Sequence, residues 1–143
     1  MPRTPTRDNT GFELAKASQR WNELLYEEFC SRGFPDVRPS YGSVLLPLFE
    51  EDGLRMGELA ARARLSKQTM TTLIRLMQTA GLVDRRRDPA DARALIVTLA
   101  DRAREFAPVA AAAVAALEAR LAARTTPEEQ RCLRSGLRTV MDL

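Results

Sequence analysis

The chain has 143 residues, of which 45% are hydrophobic and 29% charged, and its net charge is +3 at pH 7. This size and composition indicate one globular domain, and no run approaches the roughly 18 apolar residues that cross a membrane. The chain has no histidine and only two cysteines, which excludes histidine-based catalytic sites and most zinc sites. No apolar segment follows the first arginines, as one would in a signal peptide. We therefore expect a cytoplasmic protein that is not an enzyme and holds no metal or cofactor.

The charge is unevenly distributed along the chain. Between Arg55 and Arg104 there are eleven basic and five acidic residues, a net charge of +6, whereas the remainder of the chain carries −3. A basic middle between more acidic ends is typical of a polyanion-binding lobe.

The first half of the chain has the periodicity of helices. Apolar residues recur every three or four positions over residues 12–29, and glycine and proline then end this helix. Ser40 is a candidate cap for a second helix over residues 41–51, in which Pro47 predicts a kink or a late start. Residues 54–56 suit a strand of one or two residues.

A short helix over residues 58–63 and a second helix over residues 66–80 follow, separated by a turn. Ser66 suits the N-cap of the second helix, and Gly81 suits the position just past its end. Helix, short turn and helix in this order indicate a helix-turn-helix motif.

A hairpin and two helices complete the chain. Residues 82–85 and 94–98 read as strands, with a basic loop over residues 86–93 between them. An alanine-rich helix runs to about residue 123, with a bend expected at Pro108 and with Thr98 or Asp101 as its cap. Thr126 and Pro127 then suit the start of a last helix.

The helix over residues 66–80 carries the main functional signal. At 100° per residue, one face is almost wholly apolar and the opposite face is polar without a single acidic side chain. Arginine and glutamine pair with base edges in the major groove, threonine contacts bases or thymine methyl groups, and free helix N-terminal amides suit phosphate. The predicted DNA contacts are Gln68, Thr71, Thr72 and Arg75 for bases, Ser66 and Lys67 for phosphate, and Arg85, Arg86, Arg87 and Arg93 in the hairpin.

These motifs resemble the multiple antibiotic resistance regulator (MarR) family of winged helix-turn-helix transcription factors. The resemblance rests on the segments Met-Gly-Glu-Leu-Ala (56–60), Leu-Ser-Lys-Gln-Thr-Met-Thr (65–71), Gly-Leu-Val (81–83) and Asp-Arg-Arg-Arg-Asp-Pro-Ala-Asp-Ala-Arg-Ala (84–94). It implies a mainly α-helical fold with a small β-hairpin wing, assembled as an intertwined helical homodimer on a pseudo-palindromic double-stranded DNA operator. It also implies that Arg93 pairs with Asp88 or Asp91 in the wing and approaches the minor groove.

Features of the sequence also favour a dimer and a division into lobes, independently of the family resemblance. The alanine-rich helix allows close packing, and the two chain ends lack a core of their own, so a monomer would expose their apolar faces. We expect dimerisation segments at residues 1–36 and 100–143 and a DNA-binding lobe at residues 37–99. The family often has glycine where this chain has Arg64, so we expect a turn geometry there that does not need glycine.

Several alternatives stay open at this level. The same fold without DNA binding would be a protein-interaction module, whereas an enzyme lacks support because no base, metal cluster or phosphate loop adjoins a nucleophile. Relatives of this kind bind small aromatic ligands, for which Arg20, Trp21, Tyr26 and Tyr41 are candidate cleft residues, although ordinary core packing of these aromatics is the simpler interpretation. Cys30 and Cys132 are expected to be reduced, buried thiols, with oxidant sensing at Cys30 as the alternative.

Overall fold

A computed structural model describes Met1 and residues 3–143 of the chain. Over these residues the fold comprises six α-helices, a 3-10 turn and a three-stranded antiparallel sheet. The helices are α1 (Thr10–Ser31), α2 (Gly42–Glu50), α3 (Met56–Ala63), α4 (Lys67–Thr79), α5 (Asp101–Ala122) and α6 (Pro127–Met141); the strands are β1 (Leu54–Arg55), β2 (Val83–Asp88) and β3 (Asp91–Leu99); the 3-10 turn is Pro39–Tyr41.

One hydrophobic core joins the middle of the chain. Leu48 of α2, Leu59 of α3, Ile74 of α4 and Val97 of β3 are each at most 1% exposed and belong to the same cluster. These positions follow the predicted 3.6-residue and two-residue periodicities, which is why the elements form where the sequence places them. The mainly α-helical fold with a small sheet is therefore confirmed.

The core extends to α1 and α5 through aromatic packing. Phe29 of α1 and Phe106 of α5 meet edge to face, with ring centroids 4.8 Å apart, and Phe34 lies 5.3 Å from the Phe106 ring. The two long helices are thereby attached to the middle lobe at one end.

The hairpin is longer than the sequence indicated. Strands β2 and β3 pair from Val83 opposite Leu99 as far as Asp88 opposite Asp91, with a bulge between Arg87 and Asp88. Only residues 89 and 90 lie between the strands. The predicted loop over residues 86–93 is therefore too long: residues 86–88 pair with β3, whereas residues 89 and 90 form the turn and residues 92–94 have no partner on β2.

Two predicted helix caps are also wrong. Tyr41, not Ser40, occupies the N-cap position of α2, since residues 39–41 form the 3-10 turn, and neither residue gives a side-chain cap. Ala100 occupies the N-cap position of α5, because Thr98 belongs to β3 and Asp101 already lies in the first turn. The predicted caps of α4 and α6 are confirmed: Ser66 and Thr126 accept hydrogen bonds from the amides of Thr69 and Glu129.

The C-terminal helix has no core contact of its own. None of the residues of α6 is buried, and Leu133, Leu137, Val140 and Met141 are between 38% and 69% exposed. Helix α6 turns back from α5 at an angle of 120°. No single helix of the described residues is long and apolar enough to cross a membrane, and the bent pair α5 and α6 meets the length and composition test only when taken together.

Candidate nucleic-acid interface

Helix α4 presents the predicted polar face to solvent. Met70, Ile74 and Met77 are fully buried, which fixes the rotation of the helix against the core. On the opposite side Gln68, Thr72 and Arg75 are exposed, together with Ser66 and Lys67 at the helix start. The helix therefore combines a fixed apolar face with an exposed face that has no acidic group.

Two side chains of α4 differ from the helical-wheel prediction. Thr71 is half-buried, and its hydroxyl donates to the Lys67 carbonyl at 2.8 Å and lies 3.5 Å from the Met56 sulfur. Leu76, placed by the wheel on the core face, is 53% exposed. Leu76 lies at the edge of the apolar arc, which the neighbouring elements leave uncovered, whereas Met56 of α3 covers Thr71 on the other side. Thr71 is consequently less available for a base contact than Thr72.

The turn before α4 requires a left-handed residue. Arg64 has φ 54° and ψ 39°, and it is the only described residue other than glycine with positive φ. The amide of Leu65 then donates to the Ala60 carbonyl at 3.0 Å, which closes the turn between α3 and α4. The expectation that the turn avoids the glycine geometry is therefore wrong: the chain keeps the geometry and places an arginine in it.

The strand register divides the wing arginines between two faces. Arg85 lies opposite the buried Val97, whereas Arg86 lies opposite Ile96, and directly paired residues share a face of the sheet. Successive residues alternate, so Arg85 shares its face with Arg87, and Arg86 lies on the other. Arg85 donates through Nε to Gln78 of α4 at 2.8 Å, which places this face beside α4.

The predicted salt bridge of Arg93 does not form. Asp91 accepts a hydrogen bond from the backbone amide of Arg93 at 3.0 Å, and Asp88 pairs instead with Arg55 of β1, at 2.5 Å. Among the described carboxylates none lies within ion-pair distance of the Arg93 side chain. The bulge directs Asp88 across the sheet, and Asp91 closes a local turn with its own backbone, so the Arg93 guanidinium is not held by a protein carboxylate.

Sequence reasoning missed two residues that support this surface. Arg55 holds Asp88, and Gln78 holds Arg85. Gln78 could have been predicted, because it belongs to the polar face of α4. No sequence pattern pointed to Arg55, because it lies outside the wing motif and contacts Asp88 only through the pairing of the strands.

Acidic residues fix the wing and the start of α5 to the helical lobe. Asp36 accepts two hydrogen bonds from Arg102, and the Arg102 guanidinium lies 4.6 Å from the centre of the Phe34 ring. This pairing lowers the pKa of Asp36, against the opposing effect of its partial burial. Asp52 accepts from the Leu99 amide at 2.9 Å and pairs with Arg104 at 3.3 Å.

The proposed cleft residues differ in their burial and contacts. Arg20 is exposed and pairs with Glu23, Trp21 is half-buried, and Tyr41 is buried in the core. The Tyr26 hydroxyl donates to the Pro35 carbonyl at 2.6 Å. The pKa of Tyr26 is raised, mainly by hydrogen bonding with the Cys30 side chain and to a smaller extent by desolvation of the hydroxyl.

A separate open groove adjoins the polar face of α4. It has a volume of about 490 Å³ and lies between the start of α2 and α4. Its lining residues are Ser40, Ser43, Leu65, Gln68, Thr69, Thr72, Leu73 and Leu76.

Both cysteines are free and exposed in the single chain. The expectation of buried thiols is therefore wrong, because Cys30 lies on the outer side of α1 and α6 has no buried face in which to place Cys132. Among the described residues no group of three or more potential ligand side chains forms a metal site.

Comparison with known proteins matches the part of the chain that carries this surface. A family model described as "MarR family" matches residues 36–94. The HTH-type transcriptional repressor Rv2887 of Mycobacterium tuberculosis is 39% identical over 84 residues, which are 59% of this chain and 60% of that repressor. The matched segment thus spans less than two thirds of this curated relative.

Solved structures resemble almost the whole chain. A probable transcriptional regulator from Pseudomonas aeruginosa is 26% identical, with a TM-score of 0.80 over 93% of this chain and 97% of that one. The transcriptional repressor CouR, bound to a 23-mer DNA duplex, is 25% identical, with a TM-score of 0.81 over 97% and 99% of the two chains. Rv2887 in complex with salicylic acid is 28% identical, with a TM-score of 0.64 over 94% and 99%. The winged helix-turn-helix, the hairpin sequence and these matches show that the chain is similar to MarR family transcriptional regulators, over residues 36–94 in sequence and over almost its whole length in fold.

Proposed function

We propose that this chain is a transcriptional repressor that binds double-stranded DNA sequence-specifically as a homodimer. The observation that carries the proposal is helix α4: its apolar face is fixed in the core, and its exposed face offers hydrogen-bonding groups without an acidic side chain. The matching relatives, one of them solved on a DNA duplex, support the same function. Such a regulator acts on chromosomal DNA, so we place it in the cytoplasm.

The proposed roles follow the exposure of each side chain. Gln68, Thr72 and Arg75 contact base edges, while Ser66 and Lys67 at the helix start contact phosphate. Thr71 keeps a lesser part, because its side chain is half-buried against Met56, whereas Thr72 is exposed. In the wing, the face of Arg85 and Arg87 adjoins α4, and Arg93 at the tip enters the minor groove.

The second subunit is proposed to cover the exposed apolar stripe of α6. Leu133, Leu137 and Val140 recur at helical spacing and face solvent in the single chain. A patch of this kind marks an interface between copies, and a two-fold axis repeats α4 on the DNA. The two recognition helices then enter successive major grooves about 34 Å apart. Residues 1–36 and 100–143 supply the intertwined dimer, and residues 37–99 supply the DNA-binding lobe.

A small aromatic ligand is the proposed regulator. A relative is solved with salicylic acid, and the groove between α2 and α4 shares Gln68 and Thr72 with the DNA-reading face. A ligand seated there competes with base contacts. Addition of salicylate should raise the melting temperature of the free protein and release the duplex; release without a change in melting temperature would argue against binding to the protein.

The test begins with selection of bound duplexes from a random DNA pool, since the operator is unknown. If each dimer makes six or more phosphate contacts, the affinity should fall about a thousandfold between 50 and 200 mM salt. Failure to enrich any sequence, with intact folding, would favour the protein-interaction alternative.

The variant Arg75→Ala separates base reading from phosphate binding. It should weaken the selected duplex more than a random duplex, because a bidentate contact to guanine discriminates by about 1–3 kcal/mol. Arg62→Ala removes the same charge from α3, where Arg62 is paired with Glu51 and Glu58; it is the matched control and should leave both affinities unchanged. Equal losses on both duplexes for Arg75→Ala would identify a phosphate contact only.

A further inference from the structure

Asp88 is unusual for a residue in a DNA-binding wing. Of the described charged residues it alone is buried, at 8% exposure, whereas the residues beside it on β2 and at the tip are exposed. A carboxylate beside DNA repels phosphate, so its presence at this point needs a structural reason.

The sheet brings two arginines to this carboxylate from the same face. Arg55 of β1 lies opposite Ile96, and Ile96 lies opposite Arg86, so the side chains of Arg55, Ile96 and Arg86 share one face of the sheet. Between the pairs Arg87–Leu95 and Asp88–Asp91, residues 92–94 of β3 have no partner on β2, and at this irregularity Oδ2 of Asp88 lies 2.5 Å from Nη2 of Arg55. Its other oxygen, Oδ1, accepts from the Ala90 amide at 2.9 Å.

We infer that Arg55 is a positioning residue for the wing: its ion pair with Asp88 fixes the tip, and so determines where Arg87 and Arg93 meet the DNA. This inference rests on the proposed DNA binding and adds a residue outside the wing motif to it. One carboxylate thus connects three segments, namely β1, the end of β2 and the turn at residues 89–90.

The consequence of losing the pair follows from its burial. Without Arg55 the carboxylate of Asp88 remains buried with only the Ala90 amide and the nearby charge of Arg86, and it gains hydration by turning outward. The Ala90 hydrogen bond then breaks, and the two-residue tip loses its only side-chain tie to the sheet among the described contacts. The pKa of Asp88 is lowered by the Ala90 hydrogen bond first and by Arg55 and Arg86 as well, which agrees with an ionised carboxylate.

The first experiment compares two substitutions that change the charge equally. Asp88→Asn and Asp84→Asn each remove one negative charge from β2, but Asp84 forms no ion pair among the described residues. If charge alone matters, both variants bind the selected duplex more tightly. We expect Asp88→Asn to weaken binding about tenfold, because the loss at one wing is repeated at the second wing of the dimer. Asp84→Asn should leave the affinity unchanged or raise it. Tighter binding by both variants would overturn the inference.

The second experiment combines the partners. Arg55→Met should weaken binding about as much as Asp88→Asn, and the double variant should be no weaker than either single variant. The double variant has the wild-type net charge, so a purely electrostatic effect predicts wild-type affinity for it. Wild-type affinity, or losses that add, would contradict the ion pair as the cause.

The salt dependence distinguishes positioning from direct contact. If Arg55 acts only through Asp88, Arg55→Met and Asp88→Asn should change the slope of log affinity against log salt by the same amount, because both release the same wing tip. Loss of a phosphate contact made by Arg55 itself reduces that slope by about 0.9 for each contact. A slope reduced further in Arg55→Met than in Asp88→Asn would make Arg55 a DNA contact and not a positioning residue.

A measurement on the free protein keeps the inference independent of DNA. Amide hydrogen exchange at Ala90 should become faster in Arg55→Met and in Asp88→Asn, with the helical amides unchanged. Unchanged exchange at Ala90 in both variants would refute the positioning of the tip by the Arg55–Asp88 pair even if DNA affinity falls. Faster exchange in a protein for which no duplex is enriched would instead support that positioning and reject the proposed function.

Discussion

The left-handed backbone of Arg64, in the turn between α3 and α4, should lower the stability of the fold. Its left-handed conformation costs an L-residue about 1–2 kcal/mol, which glycine avoids. Glycine in turn gives the unfolded chain more freedom, at a cost of about 0.4–1 kcal/mol. The difference predicts that Arg64→Gly stabilises the fold by about 0.8 kcal/mol, which raises the melting temperature by about 2–3 °C for a chain of this size.

The controls isolate the backbone effect. The Arg64 side chain is exposed and forms no hydrogen bond or ion pair within the described part of the chain, so Arg64→Ala removes the same charge while keeping the left-handed strain. Ala61→Gly, in the exposed middle of α3, should have the opposite sign and destabilise by about 1 kcal/mol.

The assay is denaturant unfolding at one fixed protein concentration, because the stability of a dimer depends on concentration. Arg64→Gly should exceed Arg64→Ala in free energy of unfolding. Equal stability of the two, or lower stability of the glycine variant, would refute the account of the turn.

Three further predictions concern the rest of the fold. Pairing with Arg102 lowers the pKa of Asp36 below its usual value of 3.8, so the pair stabilises the fold above that pH and the stabilisation is lost as the pH falls further. The melting temperature of Asp36→Asn should therefore drop less than that of wild type between pH 5 and pH 3. Parallel drops of the two proteins would contradict this. Leu137→Glu places a charge on the exposed stripe of α6 and should give monomers by sedimentation, with DNA affinity lost; a dimer that still binds would exclude this face as the interface. Peroxide converts an exposed thiol to a sulfenic acid with release of water, so if Cys30 is a sensor, peroxide should release DNA from wild type and not from Cys30→Ser. Identical release from both would end that hypothesis.

Much of the fold follows from local patterns. The boundaries of α4 agree with prediction because its cap, its apolar period and the glycine past its end are all local signals; Gly81 indeed has φ +73°. The start of α6 was predictable for the same reason, since Thr126 and Pro127 act within a single turn. The polar, acid-free face of α4 was likewise readable, because helical geometry alone sorts the residues into two arcs.

Other features depend on contacts between distant segments. The sequence alone determined that a basic helix-turn-helix and a basic hairpin follow each other, but it could not pair Asp88 with Arg55 in place of Arg93. That choice comes from the order of the three strands and the bulge, which bring together residues 33 positions apart. The exposure of Leu76 and the half-burial of Thr71 were decided in the same way, because how much of a helix arc is covered depends on its neighbours. Local periodicity therefore determines which face of α4 can read DNA, and only tertiary packing determines how the wing beside it is held.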